Sequence, residues 1–573
     1  MWRSEATRMS SSPAWSQIAL LKSVVAKETG TILKPWGGRL PFALVYPNKY
    51  YAGMSNLGFQ TIYQLLNSHS QVVCERVFAE PGGQMDADGR GEWITADEVE
   101  RRTTAGPRHL PLLSLESQRP LDDFPIVAFS VSYELDYLNV VQALQRSDLP
   151  LLSADRDDHD PIVLAGGPCL SANPEPLAPF IDCIAIGEGE VIVPELVRVL
   201  SELQGASREA ILRAMADVPG LYVPLYPRSV RRQSLADLNS CQTTSVVLTP
   251  QTELGDMYML EIARGCARGC RFCLAGYSFA PMRWRSVEGL IDTAQAGLSF
   301  RKRIGLVGAA VSDHPQIDEL IRRLRAMDAE VAVSSIRAER LSETLVQALV
   351  ESGVHTLTIA PEAATPRLRR VIAKGLRDEQ IERAVDIAGS KGVRRLKLYF
   401  MIGLPSESDD DAQAIVDLSL RLQERLHRYA RAGEVVVNMT PFVPKAATPF
   451  QWSAMEQCEI LEQRLASIRR GLSSHRIRSR AESPAWSIIQ GLLARGDARV
   501  GAMLPHVRKN SIAAWTRSIR EAELDMVEYL HRERDLDEVL PWSRIDPALR
   551  PELLRRERLA ASELAGCGPE CEG

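Results

Sequence analysis

The chain has 573 residues, a net charge of −5, 45% hydrophobic residues and 25% charged residues. A chain of this length exceeds one ordinary core, so we expect two or three domains. The composition is typical of a soluble globular protein, no run of about 18 apolar residues predicts a membrane span, and the negative charge leaves nucleic-acid binding unsupported but not excluded. Residues 1–21 lack a continuous apolar stretch followed by a small-residue cleavage site, so we expect a cytoplasmic protein.

Short apolar segments alternate with helical ones from about residue 40 to residue 240. Helical segments such as 135–147 carry apolar residues three and four positions apart. The apolar segments end in Gly, Ser, Pro or acidic residues, as buried parallel strands do, and span residues 40–47, 124–132, 160–167 and 182–190. This alternation predicts an α/β, Rossmann-like, doubly wound domain over residues 1–240. Its ligand crevice should lie at the carboxyl ends of the strands, where Gly166-Gly167 and the GEGE sequence at 187–190 stand.

A second α/β series follows a polar, weakly periodic segment at residues 226–252, which we interpret as a linker. Six further strand candidates alternate with helical segments and span residues 257–265, 303–310, 330–337, 355–362, 394–405 and 434–444. Six such units predict a partial (β/α)6 barrel of the TIM type over residues 250–455. Residues 456–573 are predicted to form a helical C-terminal extension. Its basic stretch, residues 467–480, is interpreted as a solvated helix face or as a contact for RNA or an acidic protein.

Three of the ten cysteines, Cys266, Cys270 and Cys273, lie on the loop after the first strand of the predicted barrel. A structural zinc site normally has four Cys or His ligands, and no histidine lies within twenty residues of this group. Three thiolates on one loop can instead bind three irons of a [4Fe–4S] cluster and leave the fourth iron open for a small molecule. The spacing therefore favours a metal site with an open coordination position.

The residues between these cysteines suit such a cluster. Gly265 and Gly269 allow the backbone to curl around it. Arg264, Arg268 and Arg271 are expected to offset the negative charge of thiolate and sulfide.

The pattern Cys266-x-x-x-Cys270-x-Phe272-Cys273 resembles the signature of the radical S-adenosylmethionine superfamily. The resemblance implies that the amino and carboxylate groups of S-adenosylmethionine chelate the open iron. It also implies that an electron from the reduced cluster breaks the sulfonium bond, and that the resulting 5′-deoxyadenosyl radical takes hydrogen from a substrate. Phe272 resembles the aromatic residue that packs near the adenine. An external electron donor of the flavodoxin or ferredoxin type is implied as a partner, and the substrate stays unknown.

The resemblance extends over nearly the whole chain, through landmarks such as PFALVYPNKYYAGMSNLG, APEAATPRLRRVIAKG and LKLYFMIGLPSESDDD. These landmarks resemble an uncharacterised radical S-adenosylmethionine family whose first domain is similar to cobalamin-binding domains. By this resemblance, Glu362 lies at the end of the fourth barrel strand and contacts S-adenosylmethionine. Further candidate contacts are Gly308, Ser334, Arg337 and residues 401–403, for which barrel packing is an equal alternative.

Cobalamin binding by the first domain is left open by the sequence. Cobalamin domains often carry Asp-x-His-x-x-Gly after the first strand, but no histidine lies between Leu40 and Asn67. The near match at residues 157–159 lacks the glycine and precedes another strand. Either the corrin binds without a histidine ligand, or the domain is a platform for substrate or partner. If cobalamin binds, methyl transfer is the favoured reaction.

Two other functions are compatible with the cysteine group: a non-catalytic iron–sulfur protein for redox sensing or electron transfer, and a zinc-binding RNA adaptor.

Cys169 and Cys183 adjoin apolar strands and are interpreted as core residues. Cys567 and Cys571 resemble half of a metal site on a mobile tail.

Overall fold

The computed structural model describes residues 15–80, 84–85, 91–92, 111–252, 254–334 and 336–566. Cys567 and Cys571 lie outside the described residues. Among the helices that are described, none is both long and apolar enough to cross a membrane.

A six-stranded sheet forms the first part of the molecule. Its strands are β1 (Leu40–Lys49), β2 (Val72–Glu80), β3 (Ile126–Ser130), β4 (Ile162–Gly166), β5 (Cys183–Ala185) and β6 (Leu221–Tyr222), in the spatial order β2-β1-β3-β4-β5-β6. All neighbours are parallel except β5 and β6. Within β1, Ala43 and Val45 enter one apolar cluster, whereas Phe42 and Leu44 enter another. This burial of both faces explains the continuous apolar run and confirms a doubly wound α/β fold.

Helices cover this sheet on both faces. They are α1 (Trp15–Val25), α2 (Tyr50–Met54), α3 (Leu57–Ser68), α4 (Tyr137–Arg146), α5 (Pro168–Ala172), α6 (Gly189–Glu202) and α7 (Arg208–Ala216). The Asn56 side chain caps α3 by accepting a hydrogen bond from the Phe59 N–H, and Ser207 caps α7 in the same way.

The second part contains seven parallel strands in chain order. They are β7 (Met257–Glu261), β8 (Arg303–Val307), β9 (Glu330–Val333), β10 (Thr356–Glu362), β11 (Arg395–Ile402), β12 (Glu434–Pro441) and β13 (Arg478–Ala481). Strands β7 to β9 form one sheet and β10 to β13 form another. All six predicted strands are present. The strand β13 was not predicted, and it corrects the interpretation of the basic stretch 467–480 as helical throughout.

Helices separate these strands and follow them. They are α8 (Leu274–Ser278), α9 (Val287–Leu298), α10 (Ile317–Ala326), α11 (Glu343–Glu351), α12 (Pro366–Val371), α13 (Asp378–Ser390), α14 (Asp409–His427), α15 (Cys458–Ser474), α16 (Pro484–Arg495), α17 (Ala498–Met503), α18 (Ile512–Glu521) and α19 (Pro551–Gly566). Side-chain caps fix several of their starts: Ser286, Ser342 and Ser408 each accept a hydrogen bond from the third residue of the following helix. The predicted succession of β/α units followed by a mainly helical region is confirmed.

The segment 226–252 is more ordered than a simple linker. Its residues Val230–Arg231 pair with Ile545–Asp546 near the end of the chain. The N–H groups of Val246 and Val247 donate to the Gln60 side chain. Val230 and Val247 are also buried in the two apolar clusters of the first sheet, so the segment packs as part of the fold.

Candidate active site at the cysteine loop

The three clustered cysteines lie on a tightly curled loop, residues 265–273, which we call the cysteine loop. It follows β7 and ends where α8 begins. Gly265 has φ +83, and a Cβ there would lie 2.4 Å from the carbonyl oxygen of Phe279. Gly269 has φ +67 and faces open space. The backbone therefore requires glycine at the first position through close contact and favours it at the second through conformation.

The cysteine thiols are close enough to influence one another's ionisation. Cys270 is 7% exposed, and Cys266 and Cys273 are half-buried. Burial raises the pKa of Cys270, although the charges of Lys374 and Arg337 oppose that rise. Burial also raises the pKa of Cys273, whose sulfur receives opposing backbone hydrogen bonds from Gly276 and Ala275. The surroundings of the loop thus supply both cationic charge and N–H groups, which stabilise thiolate ligands.

The arrangement of donors differs from that of a mononuclear site. Among the described residues, no group of three or more Cys, His, Asp or Glu side chains is gathered tightly enough to hold one metal ion. The ligands of a [4Fe–4S] cluster each bind a different iron and stand around the cube rather than converge on one point. Three thiols on one curled loop fit that requirement better than they fit zinc.

Glu362 lies beside the cysteine loop, at the end of β10. Its backbone has φ +67, in the left-handed region, and the pairing of β10 with β11 shifts register just before it. Such a conformation in a non-glycine residue is uncommon and concentrates at functional sites. Burial raises the pKa of Glu362, and its charge reaches the Cys273 thiol. The position at the end of the fourth strand is the one that the resemblance implied.

Lys374 is a candidate that the sequence analysis missed. Its Nζ lies 3.2 Å from Oε1 of Glu362, and both side chains are largely buried. Its charge also lowers the pKa of Cys270. Lys374 belongs to the quoted landmark APEAATPRLRRVIAKG, but a lysine three residues beyond a short helix carries no spacing signal of its own.

The weaker candidates on β8 and β9 meet at the same strand ends. The Gly308 N–H lies 3.3 Å from Oγ of Ser334, which in turn donates to the Gly308 carbonyl oxygen at 3.3 Å. A Cβ at Gly308 would lie 3.2 Å from the carbonyl oxygen of Ala263, just before the cysteine loop. Arg337 donates to Glu339 at 2.9 Å, and its charge reaches Cys270. These residues therefore lie next to the loop, and their contact with S-adenosylmethionine stays a prediction.

Phe272 and Met401 pack against one apolar cluster. That cluster also includes Ala561 and Leu564 of α19. The turn after Met401 is fixed by Gly403, which has φ +81 and donates its N–H to Glu407 at 2.6 Å. Packing and turn formation thus account for residues 401–403, while Phe272 is half-buried at the edge of the cluster.

All three arginines of the cysteine loop region are paired with carboxylates. The Asp313 hydrogen bond, with a contribution from Cys266, raises the pKa of Arg268, so the expected charge compensation stays a prediction. Arg264 pairs with three carboxylates, Glu188, Glu190 and Glu261. Arg268 and Arg271 are also engaged by carboxylates, at 3.0 Å and 3.1 Å respectively, on Asp313 and Glu557. Largely buried guanidinium groups need such partners because an unpaired buried charge is costly. Lys374 and Arg337 are the cations whose charges lower the Cys270 pKa.

Glu188 of the GEGE sequence joins the first sheet to the second part of the chain. It is 5% exposed, and both of its oxygens accept hydrogen bonds from Arg283, at 2.7 Å and 3.0 Å. It also accepts from Arg264 and from the Leu235 N–H, both at 2.9 Å. Burial alone would raise the pKa of Glu188, but the Arg283 hydrogen bonds and the Arg264 charge hold it below its usual value. This end of β5 is therefore closed by ion pairs.

The strand order of the first sheet reverses between β1 and β3, which is where such folds bind ligands. At this point Asn48 donates to Asp136 at 2.7 Å, and burial raises the pKa of Asp136 to about 6. Lys445, from the loop after β12, pairs with Glu134 at 2.6 Å. The crevice thus faces the same loops that surround the cysteine loop. His159 belongs to an exposed turn before β4 rather than to this crevice.

Two other cysteines of the first sheet lie in its core. Cys169 and Cys183 are buried in the two apolar clusters on opposite faces. Burial raises the pKa of both thiols, as expected of core residues.

Comparison with known proteins identifies the family. The model for the radical S-adenosylmethionine superfamily matches residues 260–419, and the model for the amino-terminal region of radical S-adenosylmethionine proteins matches residues 58–224. "Uncharacterized protein MJ0966" of Methanocaldococcus jannaschii is 27% identical over 86% of this chain and 96% of its own length. "Uncharacterized methyltransferase PH0819" of Pyrococcus horikoshii is 26% identical over 48% of this chain and 64% of its own length. Among solved structures, one similar chain is the radical S-adenosylmethionine methyltransferase TsrM of Kitasatospora setae, whose structure has cobalamin and a [4Fe–4S] cluster bound. It aligns with a TM-score of 0.47 and 14% identity, and the alignment covers 85% of this chain and 99% of that one.

Proposed function

The chain belongs to the radical S-adenosylmethionine superfamily, and we propose that Cys266, Cys270 and Cys273 bind the [4Fe–4S] cluster of an enzyme of that class. The observation that carries the proposal is the curled loop with three thiols and a buried Glu362–Lys374 pair beside it. When bound, the reduced cluster supplies one electron that cleaves S-adenosylmethionine into methionine and a 5′-deoxyadenosyl radical, which takes a hydrogen atom from the substrate.

Glu362 and Lys374 suit the two charged groups of the methionine moiety. The carboxylate of Glu362 would accept hydrogen bonds from the amino group, and the ammonium of Lys374 would pair with the carboxylate. In the structure the two side chains pair with each other at 3.2 Å, next to the cysteines. Bound S-adenosylmethionine would replace this ion pair by hydrogen bonds from its amino group to Glu362 and an ion pair between its carboxylate and Lys374. Phe272 is the proposed adenine contact, and Gly308, Ser334 and Arg337 are proposed contacts along the neighbouring strand ends.

Methyl transfer is the reaction that we propose to follow radical formation. Two curated relatives are named methyltransferases, and the first part of the chain has the sheet order of a ligand-binding doubly wound domain. The crevice between β1 and β3 offers Asn48 and Asp136 but no histidine from residues 40 to 67. A cobalamin bound there would receive no imidazole ligand from the loop after β1. A low-potential protein donor of the flavodoxin or ferredoxin type and a cytoplasmic location complete the proposal.

Anaerobic reconstitution with iron and sulfide tests the cluster assignment. The wild-type protein should bind about four irons per chain and release 5′-deoxyadenosine when given S-adenosylmethionine and a reductant. Cys266→Ala should lose both properties. Cys458→Ala, on a partly exposed cysteine at the start of α15, is the matched control and should retain both. Retention of cluster and product by Cys266→Ala would reject the assignment. Cluster binding without product would favour a non-catalytic iron–sulfur protein, and zinc in place of iron would favour an adaptor.

Lys374→Met tests the substrate-binding pair. It should weaken S-adenosylmethionine binding about tenfold or more while leaving iron content unchanged, because it removes the ion pair to the bound carboxylate. Lys391→Met, on a lysine that pairs with Glu343 at the surface, should bind S-adenosylmethionine as the wild type does. Equilibrium dialysis with labelled S-adenosylmethionine measures both. Cobalt content after incubation with cobalamin tests the crevice between β1 and β3.

A further inference from the structure

Two arginines of the C-terminal region are buried without a carboxylate partner. Arg495 ends α16 and is 0% exposed, and Arg534 is 7% exposed. Nη2 of Arg534 lies 3.5 Å from the carbonyl oxygen of Arg495, so the two residues are in contact. In the described part of the chain, no carboxylate forms an ion pair with either. The buried Arg76, by contrast, pairs with two carboxylates at 2.7 Å.

Several hydrogen-bond donors around these arginines have no acceptor. Among the described residues, unpartnered buried side-chain atoms include Nε and Nη2 of Arg495, Nε of Arg534, Nε1 of Trp452 and Oγ of Ser453. These four residues contact one another in the fold. Arg495 donates to the Ser453 carbonyl oxygen at 2.6 Å, and the Arg534 N–H donates to the Trp452 carbonyl oxygen at 2.9 Å. Buried donors are normally satisfied, and each orphan costs about 1–3 kcal/mol.

The local charge is positive and uncompensated. The carboxylate whose field reaches both arginines is Glu538, but both of its oxygens are held by Arg532, at 2.8 Å and 2.9 Å. Burial, followed by the like charges of Arg534 and Arg532, lowers the pKa of Arg495 to about 9. Arginine nevertheless remains charged at neutral pH. Two buried guanidinium groups therefore lie together without a counter-ion from the described chain.

We infer that Arg495 and Arg534, with the Trp452 indole and the Ser453 hydroxyl, bind one oxyanion of the carboxylate or phosphate class. Guanidinium groups present fixed pairs of N–H donors that match the oxygens of both anions. An anion in this position would satisfy the orphaned donors and neutralise the excess charge at once. The site shares no residue with the cysteine loop or the Glu362–Lys374 pair, so it goes beyond the proposed function.

The anion site is connected to the cysteine loop through the segment 449–453. The Phe450 N–H donates to the Arg271 carbonyl oxygen at 3.3 Å. Trp452 shares an apolar cluster with Tyr277, whose hydroxyl donates to the Gly269 carbonyl oxygen at 3.1 Å. A bound anion would thus fix a segment that itself packs against the loop of the three cysteines.

Thermal unfolding of the full-length, reconstituted protein tests the inference. The Tm is measured in sodium phosphate, in sodium malonate and in sodium chloride at equal ionic strength. Binding at about a hundred times Kd should raise the Tm by about 2 °C over chloride. Arg495→Met removes the central guanidinium, and Arg517→Met, on an exposed arginine of α18, is the control. Protein exchanged into chloride is also denatured, and its supernatant is analysed for phosphorus and organic acids.

The expected result is a Tm rise or the release of one anion per chain for wild type and Arg517→Met, and neither for Arg495→Met. A response to phosphate alone assigns the phosphate class, and a response to malonate alone assigns the carboxylate class. If the wild type shows neither response nor release, the inference is overturned. It is also overturned if Arg495→Met responds as the wild type does. Arg534→Gln provides a second variant should Arg495→Met fail to fold. None of these readouts depends on cleavage of S-adenosylmethionine.

Discussion

Glu188→Ala is expected to destabilise the protein by about 3–5 kcal/mol, the usual cost of removing one partner from a buried ion pair. Glu188 is 5% exposed and receives four hydrogen bonds, from Arg264, Arg283 and the Leu235 N–H. The substitution acts mainly on Arg283, whose side chain is 9% exposed and whose carboxylate partner is Glu188. Arg264 keeps its pairs with Glu190 and Glu261 and should contribute little to the loss.

Urea unfolding followed by tryptophan fluorescence measures this loss as a shift of the first transition. Glu195→Ala is the matched control because Glu195 lies on α6, one turn after Glu190, and forms an exposed pair with Arg198. Exposed pairs contribute about 0–1 kcal/mol, so this variant should be close to wild type. If both variants shift the transition equally, within about 0.5 kcal/mol, the buried network does not hold the two parts of the chain together and the reasoning fails.

Three further predictions concern the same region. Gly265→Ala should abolish iron incorporation because its Cβ would lie 2.4 Å from a backbone carbonyl oxygen. Gly269→Ala, whose Cβ meets open space, should retain most of the iron, and iron analysis compares the two variants. Glu557→Ala should speed iron loss to a chelator several-fold by releasing the cysteine loop, and Glu552→Ala in the first turn of α19 should not. The folded-state pKa of Glu188 lies below the ordinary 4.5, so its stabilisation is complete above pH 4.5 and is lost as the pH falls through that lower value. Urea midpoints measured down to about pH 3 should therefore fall less for Glu188→Gln than for wild type.

The parts of the fold that the sequence predicted are those with a local signal. Strands buried on both faces appear as apolar runs, and all six predicted strands of the second part are present. The strand Arg478–Ala481 was missed because its sequence, RSRA, is half exposed and polar, and it exists through pairing with Glu434–Pro441. The division into residues 1–240, 250–455 and 456–573 stays a prediction.

The candidate site was predicted where neighbouring residues share one loop and missed where distant segments meet. Cys266, Cys270 and Cys273 form a recognisable spacing within eight residues. Lys374 reaches this group only because α12 returns the chain toward Glu362. The same reason explains why the carboxylate partners of the arginines were not predicted: Arg264 meets carboxylates 74 and 76 positions away, which no local pattern reveals. The ligand roles themselves stay predictions.

Contacts between distant parts of the chain also determine when the region of the cysteine loop can finish folding during synthesis. Arg271 pairs with Glu557, 286 positions later, and residues 230–231 pair with residues 545–546. A ribosome adding about 5–20 residues per second needs on the order of 15–60 s to cross that interval. Throughout that time the three thiols lack the helix that packs against their loop. The cysteine loop can therefore reach its finished form only after Glu557 has been added to the chain.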